Sequence, residues 1–119
     1  MTISTDAELE ALKAAGRLVA RTLTAMGAAL EPGITTRELD TLGRQMLEGA
    51  GAEPAPELTY GFPGATCISI GPDCAHGVPD DRAVSPGDLV NIDVSARLNG
   101  YVGDTGASFA VPPVKPRIE

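Results

Sequence analysis

Two aspartates in the last third of the chain carry the clearest chemical signal. Asp93 and Asp104 lie in two alternating apolar runs, within Leu89 to Val111, that flank Asn99-Gly100. Asn-Gly between such runs is the strongest short-range hairpin signal, because both residues tolerate the positive φ of a two-residue turn. That turn sets Leu98 opposite Tyr101, Ala96 opposite Gly103 and Ser95 opposite Asp104. Asp93 and Asp104 then become diagonal neighbours on one face, with Cβ atoms somewhat less than about 7–8 Å apart. Carboxylates that close repel unless a cation or a shared proton lies between them. A pair of divalent ions about 3.5–4 Å apart would fit that gap. The competing reading is solvated charge, since aspartate is common on the outer face of a hairpin. Against it, Asp is depleted in strand interiors, and here two share one face of otherwise apolar strands.

Other residues offer less on their own. His76 is the sole histidine; beside Gly77 in a turn, it reads by default as a surface or capping residue. No serine-based triad can be built around it, and no GxxxxGK phosphate loop is present. The two cysteines, Cys67 and Cys74, are too few for a disulfide framework, and their spacing is not that of a zinc knuckle. They read as free thiols, buried or lining a pocket. Tyr60 and Phe62 sit in the Pro- and Gly-rich stretch Ala52 to Gly64 and are candidates for a pocket wall.

The elements that must position these residues follow from periodicity. Leu9, Leu12, Gly16, Val19, Leu23, Met26 and Leu30 recur in steps of three and four, which predicts an amphipathic helix over roughly Asp6 to Leu30. Thr5 and Glu8 stand in capping-box spacing at its start. Gly16 on the stripe is expected to admit another element closely. Pro32-Gly33 ends this helix, and Thr35 with Glu38 opens a second one, buried through Leu39, Leu42, Met46 and Leu47 and closed by Gly49 to Gly51. Ala52 to Gly64 reads as loop, Thr66 to Ile70 as a short strand, Gly71-Pro72-Asp73 as a turn. The hairpin buries Val90, Ile92, Val94, Ala96 and Leu98 against Tyr101, Ala107 and Phe109. Helix, helix, then strands predicts an α+β domain, two helices packed on an antiparallel sheet.

Composition narrows the function classes. The chain has 119 residues, 43% hydrophobic and 21% charged, which suits one domain with a real core and argues against disorder. Its net charge of −7 and aromatic content of 3% argue against nucleic acid as a partner. No apolar run approaches the roughly 20 residues of a membrane helix. The N-terminal Met1-Thr2-Ile3-Ser4 lacks signal-peptide character, so a cytoplasmic protein is expected.

Taken together, the motifs resemble the N-terminal half of type I methionine aminopeptidases, two-metal peptidases of the M24 family with the pita-bread (creatinase/aminopeptidase) fold. The matching segments are Ala15-Gly16-Arg17, Glu31 to Thr36, Glu38-Leu39-Asp40, Gly61-Phe62-Pro63, Cys67 to Ile70, His76 to Asp81, Gly87 to Val94 and Asn99 to Thr105. They run in order from about Leu9 to Val111. The resemblance implies that residues 1–119 form one half of a catalytic domain. It implies that Asp93 chelates one metal ion and Asp104 bridges two, and that His76 contacts the substrate and steadies the reaction intermediate. Tyr60, Phe62 and Cys67 would line the pocket for the methionine side chain, Phe62 standing where many members have tyrosine. Gly71-Pro72 replaces a polar-acidic pair usual after the first strand.

The implied activity is removal of the N-terminal methionine from nascent proteins by a metal-activated water. The metal would be Mn, Fe, Co or Zn, two ions per complete site. The motifs favour the methionine branch over the proline-specific branch of the superfamily. The family's remaining ligands, a histidine and two glutamates, belong to a second half that these residues do not include. The chain alone is therefore expected to be weakly active or inactive. Its partners would be nascent N-termini and either the missing C-terminal half or a second copy. The alternative is a non-catalytic peptide- or partner-binding module that uses the half-fold, and a third reading is a coding sequence with no selected role.

Overall fold

The computed structural model describes residues 6–55, 65–71 and 78–112. Two helices, α1 (Asp6–Ala28) and α2 (Thr36–Gly49), precede four strands: β1 (Glu53–Pro54), β2 (Cys67–Gly71), β3 (Leu89–Leu98) and β4 (Tyr101–Ala110). The α2 start forms as its spacing requires. The Glu38 backbone N–H donates to Thr35 Oγ1 at 3.1 Å, and the Thr35 N–H donates to Glu38 Oε1 at 3.0 Å. Two of the amides that a helix start leaves unpaired are thereby satisfied. The corresponding box at Thr5 lies outside the described residues.

The hairpin has the expected register. Leu98 pairs with Tyr101, Ala96 with Gly103 and Ser95 with Asp104. Asn99 and Gly100 take φ of 53° and 85°, the two positive values a type I′ turn demands. β4 runs along one edge of β3 for its whole length. The other edge is shared: β2 pairs antiparallel with Leu89 to Asp93, and β1 pairs with Ala96 and Arg97. β1 lies in the segment expected to be loop. Two residues containing a proline are too short for period-2 patterning to reveal, and the Glu53–Arg97 ion pair at 2.9 Å reinforces the pairing.

Both helices pack on one sheet face. Val90, Ile92, Val94 and Ala96 of β3, with Ile68 and Ile70 of β2, meet Leu18, Val19, Leu23 and Met26 of α1 and Leu39 and Leu47 of α2. The α1 stripe differs from expectation. Ala15, Leu18 and Thr22 are buried, whereas Leu9 and Leu12 are 38% and 36% exposed and Gly16 faces open space. Helix and strand lengths explain this. Ala15 lies against Gly103 and Gly27 against the Phe109 ring. Between these contacts α1 rises about 18 Å and β4 about 20 Å, so the two run side by side. β4 begins only two residues before Gly103, so the first turns of α1 overhang the sheet. Leu9 and Leu12 are left partly exposed near the end that Tyr101 marks, where its hydroxyl donates to Glu8 Oε2 at 3.3 Å.

Candidate functional site

The sheet face turned away from the helices is polar. It carries Asn91, Asp93 and Ser95 of β3, Asp104, Gly106 and Ser108 of β4, and Cys67 and Ser69 of β2. Asp93 sits in the middle strand, between Cys67 on one side and Gly106 on the other. A Cβ at Gly106 would overlap Asp93 Oδ1, so that carboxylate lies across the strand that carries Asp104. Asp104 leans the opposite way. Its Oδ1 accepts a 2.8 Å hydrogen bond from Ser95 Oγ on β3. Each carboxylate therefore reaches towards the other's strand, at neighbouring rows of the β3–β4 ladder.

Neutral donors hold one oxygen of each acid. Asn91 Nδ2 donates to Asp93 Oδ2 at 3.1 Å, and Ser108 Oγ donates to Asn91 Oδ1 at 3.2 Å. Among the described residues, Asp93 Oδ1 and Asp104 Oδ2 have no hydrogen-bond partner. Cys67, half-buried and free, borders the pair from β2. Burial, then the Asp93, Asp40 and Asp104 carboxylates, push its thiol pKa above the ordinary value. An anionic sulfur there would face several anionic oxygens, so the thiol stays neutral at pH 7. Iodoacetamide at pH 8 is thus expected to modify Cys67, in a Cys74→Ser background, several-fold more slowly than an unstructured cysteine peptide. Asp93→Asn should speed the reaction. Equal rates for protein and peptide would contradict this electrostatic account. The linkage has one sign: the raised pKa stabilises the fold below the ordinary thiol value, and that contribution is lost as pH climbs through the raised one.

The structure brings Asp93, Asp104 and Cys67 together. His76, Tyr60 and Phe62, expected at the same site, lie outside the described residues. Asn91 and Ser95 were not singled out from sequence as partners of the acids, although alternation alone puts them on the same face. Asp40 was also missed as a buried anchor. It shares an inward face of α2 with Gly43 and Leu47, where a carboxylate needs partners, and it accepts hydrogen bonds from Ala65 and Thr66 just before β2. Those bonds fix the strand that presents Cys67. A separate cavity of about 120 Å³, lined by Thr36, Ile68, Ile70 and Asp80 among others, includes neither Asp93 nor Asp104.

The donor set can be tested against a metal. Among the described residues, no group of three or more His, Cys, Asp or Glu side chains is placed to hold an ion. The two carboxylates nevertheless fit divalent ions as part of a ligand set. They offer hard oxygen donors, each keeps an oxygen without a hydrogen bond among the described residues, and each reaches towards the other's strand.

Comparison with known proteins agrees with this geometry. Residues 10–119 match metallopeptidase family M24. The chain belongs to that family. It is 50% identical over 111 residues to a methionine aminopeptidase of Staphylococcus epidermidis, covering 93% of this chain and 44% of the relative. It is 46% identical over 112 residues to methionine aminopeptidase 2 of Bacillus subtilis, covering 93% and 45%. Among solved structures it resembles the methionine aminopeptidase of Rickettsia prowazekii, with a TM-score of 0.86, 37% identity and coverage of 97% and 46%. It also resembles a prolidase of Pyrococcus furiosus, with a TM-score of 0.77, 28% identity and coverage of 96% and 32%. The fold is thus half of the pita-bread fold, and the chain spans less than half the length of these relatives. As an M24 member it carries the family's relation to divalent metal. No described helix is long and apolar enough to cross a membrane.

Proposed function

We propose that residues 1–119 supply one half of a methionine aminopeptidase site acting in the cytoplasm on the N-terminus of nascent proteins. The observation that carries the reading is the diagonal placement of Asp93 and Asp104 on one face of β3 and β4, each reaching towards the other's strand, in a chain half identical to methionine aminopeptidases. In this reading Asp93 and Asp104 would both serve as ligands of divalent ions, of Mn, Fe, Co or Zn. Such ions, when bound, lower the pKa of water and polarise the scissile carbonyl. His76 contacts the substrate and steadies the reaction intermediate. Tyr60, Phe62 and Cys67 line the methionine pocket, where a neutral thiol suits an apolar thioether better than a thiolate would.

Two carboxylates bind a divalent ion weakly, and the family's other three ligands come from a second half. The expected result is therefore little or no methionine release from Met-Ala-Ser by the purified 119-residue chain, with or without manganese or cobalt. Activity should appear when a C-terminal half is supplied, and Asp104→Ala should abolish it. Metal-dependent release by the chain alone, sensitive to Asp104→Ala, would mean that copies assemble a working site and would overturn the expected inactivity. Release from the completed enzyme that survives Asp104→Ala would overturn the metal assignment.

A further inference from the structure

We infer that Asn91 and Ser95 are positioning residues that fix which oxygen each of the two carboxylates presents, with Ser108 steadying Asn91. The inference rests on the reading of Asp93 and Asp104 as metal ligands and extends it to residues that touch neither metal nor substrate. All three side chains lie on the polar sheet face, and each has a defined partner. Ser108 Oγ donates to Asn91 Oδ1 at 3.2 Å, Asn91 Nδ2 donates to Asp93 Oδ2 at 3.1 Å, and Ser95 Oγ donates to Asp104 Oδ1 at 2.8 Å.

The direction of these bonds makes them more than surface decoration. Accepting from Asn91 settles which Asp93 oxygen is free: Oδ1, the one lying across Gly106 on β4. The Asn91 carbonyl is itself fixed by Ser108, so the amide presents its NH2 to Asp93 and not its oxygen. Ser95, directly across the ladder from Asp104, draws that carboxylate back over β3 and leaves Oδ2 free. Without these donors, two like charges on neighbouring strands would rotate apart. With them, the carboxylates stay turned towards each other's strand before any cation arrives. Exposed side-chain hydrogen bonds add little to folding, so the consequence of this network falls on the acids. Partners that orient metal-binding carboxylates are commonly worth 10- to 100-fold in metal affinity.

The test is a Mn2+ titration of the chain completed by a C-terminal half, followed by electron paramagnetic resonance of the free ion, with thermal melting of each variant alongside. Ser95→Ala and Asn91→Ala should each weaken Mn2+ binding by about 10- to 100-fold while the melting temperature stays at the wild-type value. Ser95→Thr, which keeps the hydroxyl on a strand-favouring residue, should restore binding. Asp93→Ala and Asp104→Ala serve as the reference for lost ligands. Wild-type affinity in Ser95→Ala and Asn91→Ala, with binding lost in the aspartate variants, would overturn the positioning role and leave the ligand reading intact. Binding unaffected by the aspartate variants, or none by the completed wild-type protein, would overturn both. Failure of Ser95→Thr to restore what Ser95→Ala loses would overturn the role of the hydroxyl.

Discussion

Replacing Asp40 with alanine is expected to cost about 3–4 kcal/mol of folding stability, a large share of the 5–15 kcal/mol typical of a domain. Asp40 is 7% exposed and accepts from both residues that lead into β2. The Ala65 N–H reaches its Oδ1 and Oδ2 at 3.1 and 3.2 Å. The Thr66 N–H and hydroxyl reach Oδ1 at 2.7 and 2.6 Å. Ala65 and Thr66 are both fully buried. Truncation would leave two amides and a hydroxyl without acceptors, each costing about 1–3 kcal/mol less whatever water or relaxation recovers. Asparagine should fall between: its oxygen can serve Thr66, but its NH2 would face the Ala65 N–H, donor against donor. Urea denaturation should therefore rank wild type above Asp40→Asn above Asp40→Ala at equal m-value. A loss below about 1 kcal/mol in the alanine variant would show that the carboxylate is not what secures this junction. The junction matters to the site because the next residue is Cys67, the cross-strand neighbour of Asp93.

What could be read from sequence follows from how local the determinants were. Asn99-Gly100 fixes a two-residue turn, a turn fixes a register, and the register fixes which residues share a face. Asp93 and Asp104 were therefore legible as a pair from the chain alone, and so was the buried row from Val90 to Ala96. The donors on the acids were not legible as such. Asn91 and Ser95 on an open face look like ordinary solvated residues, and only side-chain rotamers show that each meets one carboxylate oxygen. Asp40 was hidden for a different reason. Its partners are backbone amides and a hydroxyl more than twenty residues away, and their approach depends on how α2 lies against β2. The helix face was misjudged at its start because periodicity gives a stripe but not where the sheet beneath it ends. Leu9 and Leu12 satisfy the period and overhang the strand.

The same limit produced an error of sign at a glycine. Gly16, on the predicted stripe, was expected to admit a neighbouring element, yet among the described residues no other element comes within 4 Å of where its Cβ would be. The close approach occurs one residue earlier on the helix and comes from the strand. A Cβ on Gly103 would stand 2.6 Å from the Ala15 carbonyl oxygen, 2.8 Å from its carbon and 3.0 Å from the Gly16 nitrogen. These are backbone atoms of α1, so no side-chain rotation can relieve the clash. Gly103→Ala must lift the helix from β4 or bend the strand away from Ala96, its buried partner on β3. Overpacking of this kind costs about 1–3 kcal/mol, and the upper end is expected where only backbone can yield. Gly16→Ala should do the opposite, because it fills open space and adds a helix-favouring residue worth up to about 1 kcal/mol inside α1. Thermal melts of the two variants should therefore move in opposite directions from the wild-type midpoint. Tolerance of Gly103→Ala would mean that α1 does not rest on β4 at this contact, and destabilisation by Gly16→Ala would mean that Gly16 does not face open space. The consequence reaches the open face, since Asp104 follows Gly103 directly and its aim depends on where this strand is held.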